Sequence, residues 1–135
     1  MRKWFILAGI ILLTNGTLNA KHLHNEKEYQ THWCNARGGI MEYKLNDKTR
    51  VDCLLPTMAV EVDFAKKWAE CIGQALYYGQ KTKRTPACVL ITENPEKDAK
   101  FVRRLRYTVY NKKKIPEFKT FTITPDGYEC EVVFF

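Results

Sequence analysis

The sequence predicts an α/β domain in which a central mixed sheet is flanked by helices. Its elements run helix, three strands, helix, strand, then a further helix and strands. Three observations point there. Arg50–Leu54 and residues 59–63 alternate polar with apolar side chains, the period of a half-buried strand. After Asp63 the period lengthens: Phe64, Trp68, Cys71, Ile72 and Ala75 recur three and four apart, as on one face of a helix. Residues 87–91, Ala-Cys-Val-Leu-Ile, form a continuous apolar run suited to a strand covered on both faces.

The remaining elements follow from local signals. Residues 26–37 place Tyr29, Trp33 and Cys34 on one helical stripe, and Gly38-Gly39 ends it. Residues 40–45 read as a strand, and Asn46-Asp47-Lys48 turns the chain into the next. Pro56 marks another turn before residue 59. Residues 79–86 form a basic loop. Asn94-Pro95 opens a helix whose apolar stripe is Phe101, Val102, Leu105 and Val109. A strand is expected at residues 118–123 and an edge strand within 128–135, after the Pro125-Asp126-Gly127 turn.

Residues 1–20 have the three zones of a secretory leader: Arg2-Lys3, an apolar run over 4–13 broken only by Gly9, and a small, polar stretch ending at Ala20. The run is about half of the roughly 20 residues a membrane span needs, so cleavage after Ala20 is expected rather than a stable anchor. Residues 21–135 then form a single domain, exported to a periplasmic or extracellular space. Loss of Arg2 and Lys3 with the leader takes the formal charge from +7 to +5, a balance that favours a polyanionic partner.

Five cysteines, at 34, 53, 71, 88 and 130, form no CxxC pair, which removes zinc knuckles and thioredoxin-type chemistry. Cys53 and Cys71 sit on apolar faces and read as small buried hydrophobes rather than bridge partners. His22-Leu23-His24 reads as a mobile polar tail, and the basic stripe of residues 100–114 as a solubility surface.

Asp52, Glu61 and Asp63 are the candidate chemistry. Alternation puts Asp52 on a face with Arg50 and Leu54, opposite Val51 and Cys53. It puts Glu61 and Asp63 together, with Val60 and Val62 left for the core. Asp63 also stands where a helix N-cap would. On the helix that follows, Lys67, Cys71, Gln74 and Tyr78 are spaced four, three and four, along one side.

This arrangement resembles the PD-(D/E)XK nuclease superfamily, the restriction-endonuclease-like fold of RecB-type nucleases and Holliday-junction resolvases, with its αβββαβ core. In that pattern an Asp on one strand and an acidic-x-Lys triplet on the next bind magnesium. Asp52 matches the first acid, and Glu61-Val62-Asp63 occupies the triplet with Asp63 in place of the lysine. Gln74-x-x-x-Tyr78 is similar to the QxxxY element of RecB-like members. The resemblance implies an αβββαβ core carrying a C-terminal helix and strands, a Mg²⁺ or Mn²⁺ site at Asp52, Glu61 and Asp63, and a catalytic lysine supplied from the helix. Lys67 is the first candidate for that lysine and Lys66 the second. It also implies substrate contacts from Gln74, Tyr78 and Lys66, and hydrolysis of DNA, with RNA as the second choice. A relative without catalysis that binds a polyanion or a protein is the alternative.

Overall fold

Asn25 starts the first helix, α1 (Glu26–Ala36), by accepting the Glu28 backbone N–H while the Glu28 carboxylate accepts the Asn25 N–H. A computed structural model describes residues 21–111, 115, 117–126 and, by backbone, 129–131. The leader expected at 1–20, the lysines at 112–114 and the outer parts of the expected edge strand lie outside the described residues. Gly38, at φ 64, takes the left-handed conformation that closes α1. At Gly39 a Cβ would fall onto the sulfur atoms of Cys34 and Cys53, so the chain passes there only without a side chain.

Strands β1 (Ile40–Lys44) and β2 (Arg50–Leu54) form an antiparallel hairpin, its turn held by the Thr49 N–H donating to Asp47 at 3.0 Å. The chain turns through Pro56, where the Leu55 N–H donates to the Met58 carbonyl at 2.9 Å, and enters β3 (Met58–Phe64). A single 3₁₀ turn (Ala65–Lys67) leads into α2 (Trp68–Thr82), followed by β4 (Thr85–Ile91) and α3 (Pro95–Tyr110). The chain ends in β5 (Lys119–Ile123) and a three-residue β6 (Glu129–Glu131). Asn94 caps α3 through the Lys97 N–H, with Pro95 in its first turn, as the sequence signal predicts.

Strand order in the sheet is the order of the chain, β1 to β6. β1, β2 and β3 are antiparallel neighbours, β3, β4 and β5 are parallel, and β6 is antiparallel to β5. The two parallel steps are crossovers through α2 and α3. Both advance the same way along the sheet, and right-handed crossovers then place both helices on one face. The packing agrees: Cys71, Ile72, Ala75, Leu105 and Val109 cover Cys88 and Leu90 on that side. On the other side, Tyr29 and Trp33 of α1 cover Val60, Val62, Val89, Ile91 and Phe121. Residues 87–91 are buried on both faces, as their apolar run predicts.

The structure corrects several sequence expectations, four of them in how the elements are built and joined. Cys53 and Cys71 are half-cystines. Cys34 bridges to Cys53 with Cα atoms 5.7 Å apart, and Cys71 to Cys88 at 6.0 Å, so each bridge bolts a helix to the sheet, one per face. Asp63 is no N-cap: it pairs with Leu90 inside β3, and the first helical turn has no side-chain cap. Residues 79–82 belong to α2, which ends where Lys83 takes φ 54. Lastly, the His22-Leu23-His24 segment is held. The Leu23 and His24 N–H groups donate to Glu93, the His22 ring lies 2.8 Å from the same carboxylate, and it stacks on Phe64 at 3.7 Å. A carboxylate with backbone donors to accept and a ring to stack on offset the ordering cost that the sequence alone suggests would leave this segment loose.

Candidate functional site in the gap between two strands

β2 and β3 pair at only two positions, Cys53 with Val60 and Leu54 with Ala59. The next opposed residues are Asp52 and Glu61, and there side chains replace backbone carbonyls in the ladder. The Val62 N–H donates to Asp52 Oδ2 at 2.9 Å, and the Asp52 N–H donates to Glu61 Oε1 at 3.2 Å. Each carboxylate thus satisfies a backbone donor that the broken pairing would strand.

The irregularity at Asp52 extends to the neighbouring strand, β1, whose register with β2 also skips this position. Glu42, opposite Asp52 on β1, has φ 52, a conformation that costs about 1 kcal/mol or more for a side-chain-bearing residue. Gln30 of α1 then bridges the irregular stretch, donating to the Asp52 carbonyl at 2.7 Å and to Glu42 Oε1 at 3.0 Å. Lys27 adds an ion pair to Glu42 at 2.7 Å, which holds the Glu42 carboxyl below its usual range. The expected strict alternation of β2 therefore fails. Val51 packs with Leu54, Ala59 and Tyr78, whereas Cys53 joins the α1 side.

β3 keeps its alternation and delivers two acids, Glu61 and Asp63, into this gap, both buried. Asp63 Oδ2 has no hydrogen-bond partner among the described residues. Burial is the main force on all three carboxyls and pushes each upward. For Glu61 the neighbouring Asp52 charge adds to burial; for Asp52 the charges of Glu42 and Glu26 add, opposed by the Val62 N–H. Asp63 is raised to about 7, by burial first and then by Glu26 and Asp52, with Lys67 pulling it back. Three carboxyls whose charged forms are disfavoured by burial are collected in one place.

Of the seven residues singled out from sequence, the structure brings together Asp52, Glu61, Asp63 and Lys67. Lys67 sits in the 3₁₀ turn, half exposed, beside Asp63 and 3.9 Å from Glu26. Tyr78 is buried, and the charges of Glu61 and Asp52 act on its hydroxyl. Gln74 is exposed at the rim of the buried stripe of α2, and Lys66 is exposed with no ion pair among the described residues. The expected common side of Lys67, Cys71, Gln74 and Tyr78 is accordingly corrected. The 3₁₀ turn shifts the phase of Lys67, and the buried stripe centres between Cys71 and Ile72, which leaves Gln74 outside it.

Sequence reasoning missed Glu26, Gln30 and Glu42. Gln30 was within reach, because it lies three and four residues before Trp33 and Cys34 and so falls on the apolar stripe of α1. Glu42 carried no such signal. Among the described residues, no three His, Cys, Asp or Glu side chains stand close enough together to hold a metal ion as they are placed. No protein-family model, no curated protein and no solved structure matches this chain.

Proposed function

We propose that this chain is an exported, metal-dependent nuclease of the PD-(D/E)XK type that hydrolyses phosphodiester bonds in DNA, with RNA as a second substrate. The observation that carries the reading is the gathering of Asp52, Glu61 and Asp63 in a buried gap, with Asp63 Oδ2 unpartnered and Lys67 alongside. The order αβββαβ on a mixed sheet flanked by helices supports the reading, since it is the order the resemblance implies. Two disulfides among the described residues favour an oxidising compartment and hence export.

The chemistry of the donors suits a hard divalent cation, although as placed the three side chains would have to draw together to hold one. Carboxylate oxygens are the ligands Mg²⁺ and Mn²⁺ prefer, and an unpartnered buried carboxylate oxygen is one that a cation would satisfy. Asp52, Glu61 and Asp63 would hold the ion, and the chemistry it would supply there is polarisation of a scissile phosphate and a lowered pKa for the attacking water. The protein's own groups set up the rest. The Lys67 ammonium offsets developing charge and orients the water, standing in for the lysine that Asp63 displaces from the triplet. Tyr78 is buried, packed on Val51, Leu54 and Ala59, while Lys66 and Gln74 are exposed and free to touch substrate.

A second reading has an observation of its own. Asp52 and Glu61 each already accept a backbone N–H, which suits acids retained as ladder substitutes in a relative that binds a polyanion or a protein without cutting it. Incubating the purified chain with supercoiled and single-stranded DNA and with RNA, in magnesium or manganese, separates the two. Nicking or degradation that stops on chelation is expected. No cleavage of any substrate with either metal would leave the binding reading standing alone.

A further inference from the structure

A groove of about 520 Å³ lies between the start of α2 and the exposed face of α3. Its walls are Trp68, Lys100, Arg103, Arg104, Tyr107 and Thr108. The α3 residues recur at three- and four-residue intervals, which puts three cations and one ring on a single stripe of the helix. None of the six is acidic, and Lys100, Arg103 and Arg104 have no acidic partner among the described residues. Tyr107 is 71% exposed, although a tyrosine is ordinarily turned at least partly inward. Trp68 is part-exposed and directly follows Lys67, and α3 packs on the 3₁₀ turn that carries Lys67.

A surface kept only for solubility mixes both signs of charge and avoids large exposed rings. This groove does the reverse, pairing unneutralised cations with two aromatic faces at its edges. Phosphates meet the first requirement and unpaired bases the second, because every base has a face that stacks on an aromatic ring while a duplex hides its bases. We propose that the groove binds single-stranded nucleic acid, with bases stacked on Trp68 and Tyr107 and phosphates held by Lys100, Arg103 and Arg104. The strand would leave the groove at Lys67. The inference deepens the nuclease reading and rests on it for the meaning of that exit, making an unpaired strand or flap the preferred substrate, but the binding itself stands apart from catalysis.

The test uses the full chain in chelator, so that binding is measured without cleavage. Fluorescence anisotropy would compare a labelled oligothymidylate, a mixed-sequence single strand, the same sequence as a duplex, and heparin. Single strands are expected to bind at least ~10-fold more tightly than duplex and to quench tryptophan emission. Tyr107→Ala should weaken single-strand binding by about 5- to 100-fold, and as an exposed position it leaves the fold intact. Arg103→Ala with Arg104→Ala should lower the slope of log affinity against log salt by about 1.4, at roughly 0.7 per phosphate contact. Trp68→Leu should remove the quenching. Equal affinity for duplex, equal affinity for heparin, or unchanged binding by the Tyr107 and arginine variants would each overturn the proposal. Cleavage assays on the same proteins keep the two readings apart. Loss of binding in the groove variants of a chain that never cleaves leaves the groove standing without the nuclease. Undiminished cleavage of single strands by those variants leaves the nuclease without the groove.

Discussion

The two edges of β3 meet their neighbours in opposite ways. Toward β4 the strand is paired in parallel register from Met58–Thr85 to Phe64–Ile91, and from Ala87 to Ile91 the side chains of β4 beside it are apolar and buried. Toward β2 it is paired at Ala59 and Val60, and from Glu61 onward carboxylates stand where ladder partners would. One seven-residue strand is thus half core and half site. The closed edge holds Glu61 and Asp63 in place, and the open edge gives their oxygens somewhere to go. Backbone pairing given up on one side is tolerable because the other side surrenders none.

Four experiments probe that division, the first by removing the chemistry of the open edge. Glu61→Gln keeps an oxygen for the Asp52 N–H but loses the charge, so it should lower metal-dependent cleavage by 10³-fold or more, ~4 kcal/mol, with metal-free stability unchanged or raised. Retention of a tenth of the wild-type rate would take Glu61 out of the site. At the closed edge, Leu90→Ala should cost about 3 kcal/mol in urea unfolding, by the same amount at pH 5.5 and 8 and with or without magnesium. A cost that varies with pH or metal would mean the edges are not separable.

Lys67→Ala tests how the 3₁₀ turn serves the gap. Turnover should fall by about 10²-fold, ~2.7 kcal/mol, while magnesium still raises the melting temperature, since a ligand bound only by the folded state stabilises it by mass action. Unchanged turnover would assign the ammonium to Lys66 or to no lysine. The smallest effect is on pH. Asp63 has a folded pKa of about 7 against an ordinary 3.8, so across that window the folded state binds more protons and stability falls as pH rises. Through Asp63 the metal-free chain should lose on the order of 2 kcal/mol between pH 5 and 8, and Asp63→Asn should make the profile shallower by that part, leaving the slope that Asp52 and Glu61 add. A wild-type melting temperature that holds steady or climbs over that range would show that Asp63 is solvated or paired.

What the sequence made legible was set by periodicity. β2 runs over Arg50–Leu54 as expected, α3 starts at its Asn-Pro signal, and the αβββαβ order follows from changes of period alone. Asp52, Glu61 and Asp63 were visible because acids on strand faces break an otherwise apolar pattern. Features that arise from partners distant in the chain were not. A half-cystine and a buried thiol occupy the same apolar positions, so Cys53 and Cys71 gave no sign of Cys34 and Cys88. Asp63 has the chemistry of an N-cap, and pairing with Leu90, far along the chain on β4, overrode it. The lost alternation at Asp52 depends on Gln30 and Glu42, whose contacts no local window contains.

The two bridges also have an order along the chain. Cysteine 34 joins the next cysteine, 53, and cysteine 71 joins the next after it, 88, so the covalent rings lie side by side, neither nested nor crossed. A polypeptide crossing a membrane from its N-terminus presents thiols one at a time, and an oxidant that links each newcomer to the last unpaired thiol makes this pattern on the first pass. Crossed rings would need reshuffling by an isomerase. On export as proposed above, the first ring could close before the residues that carry Glu61 and Asp63 have to find their partners, so that the covalent frame on the α1 side would be in place when the acids are brought together.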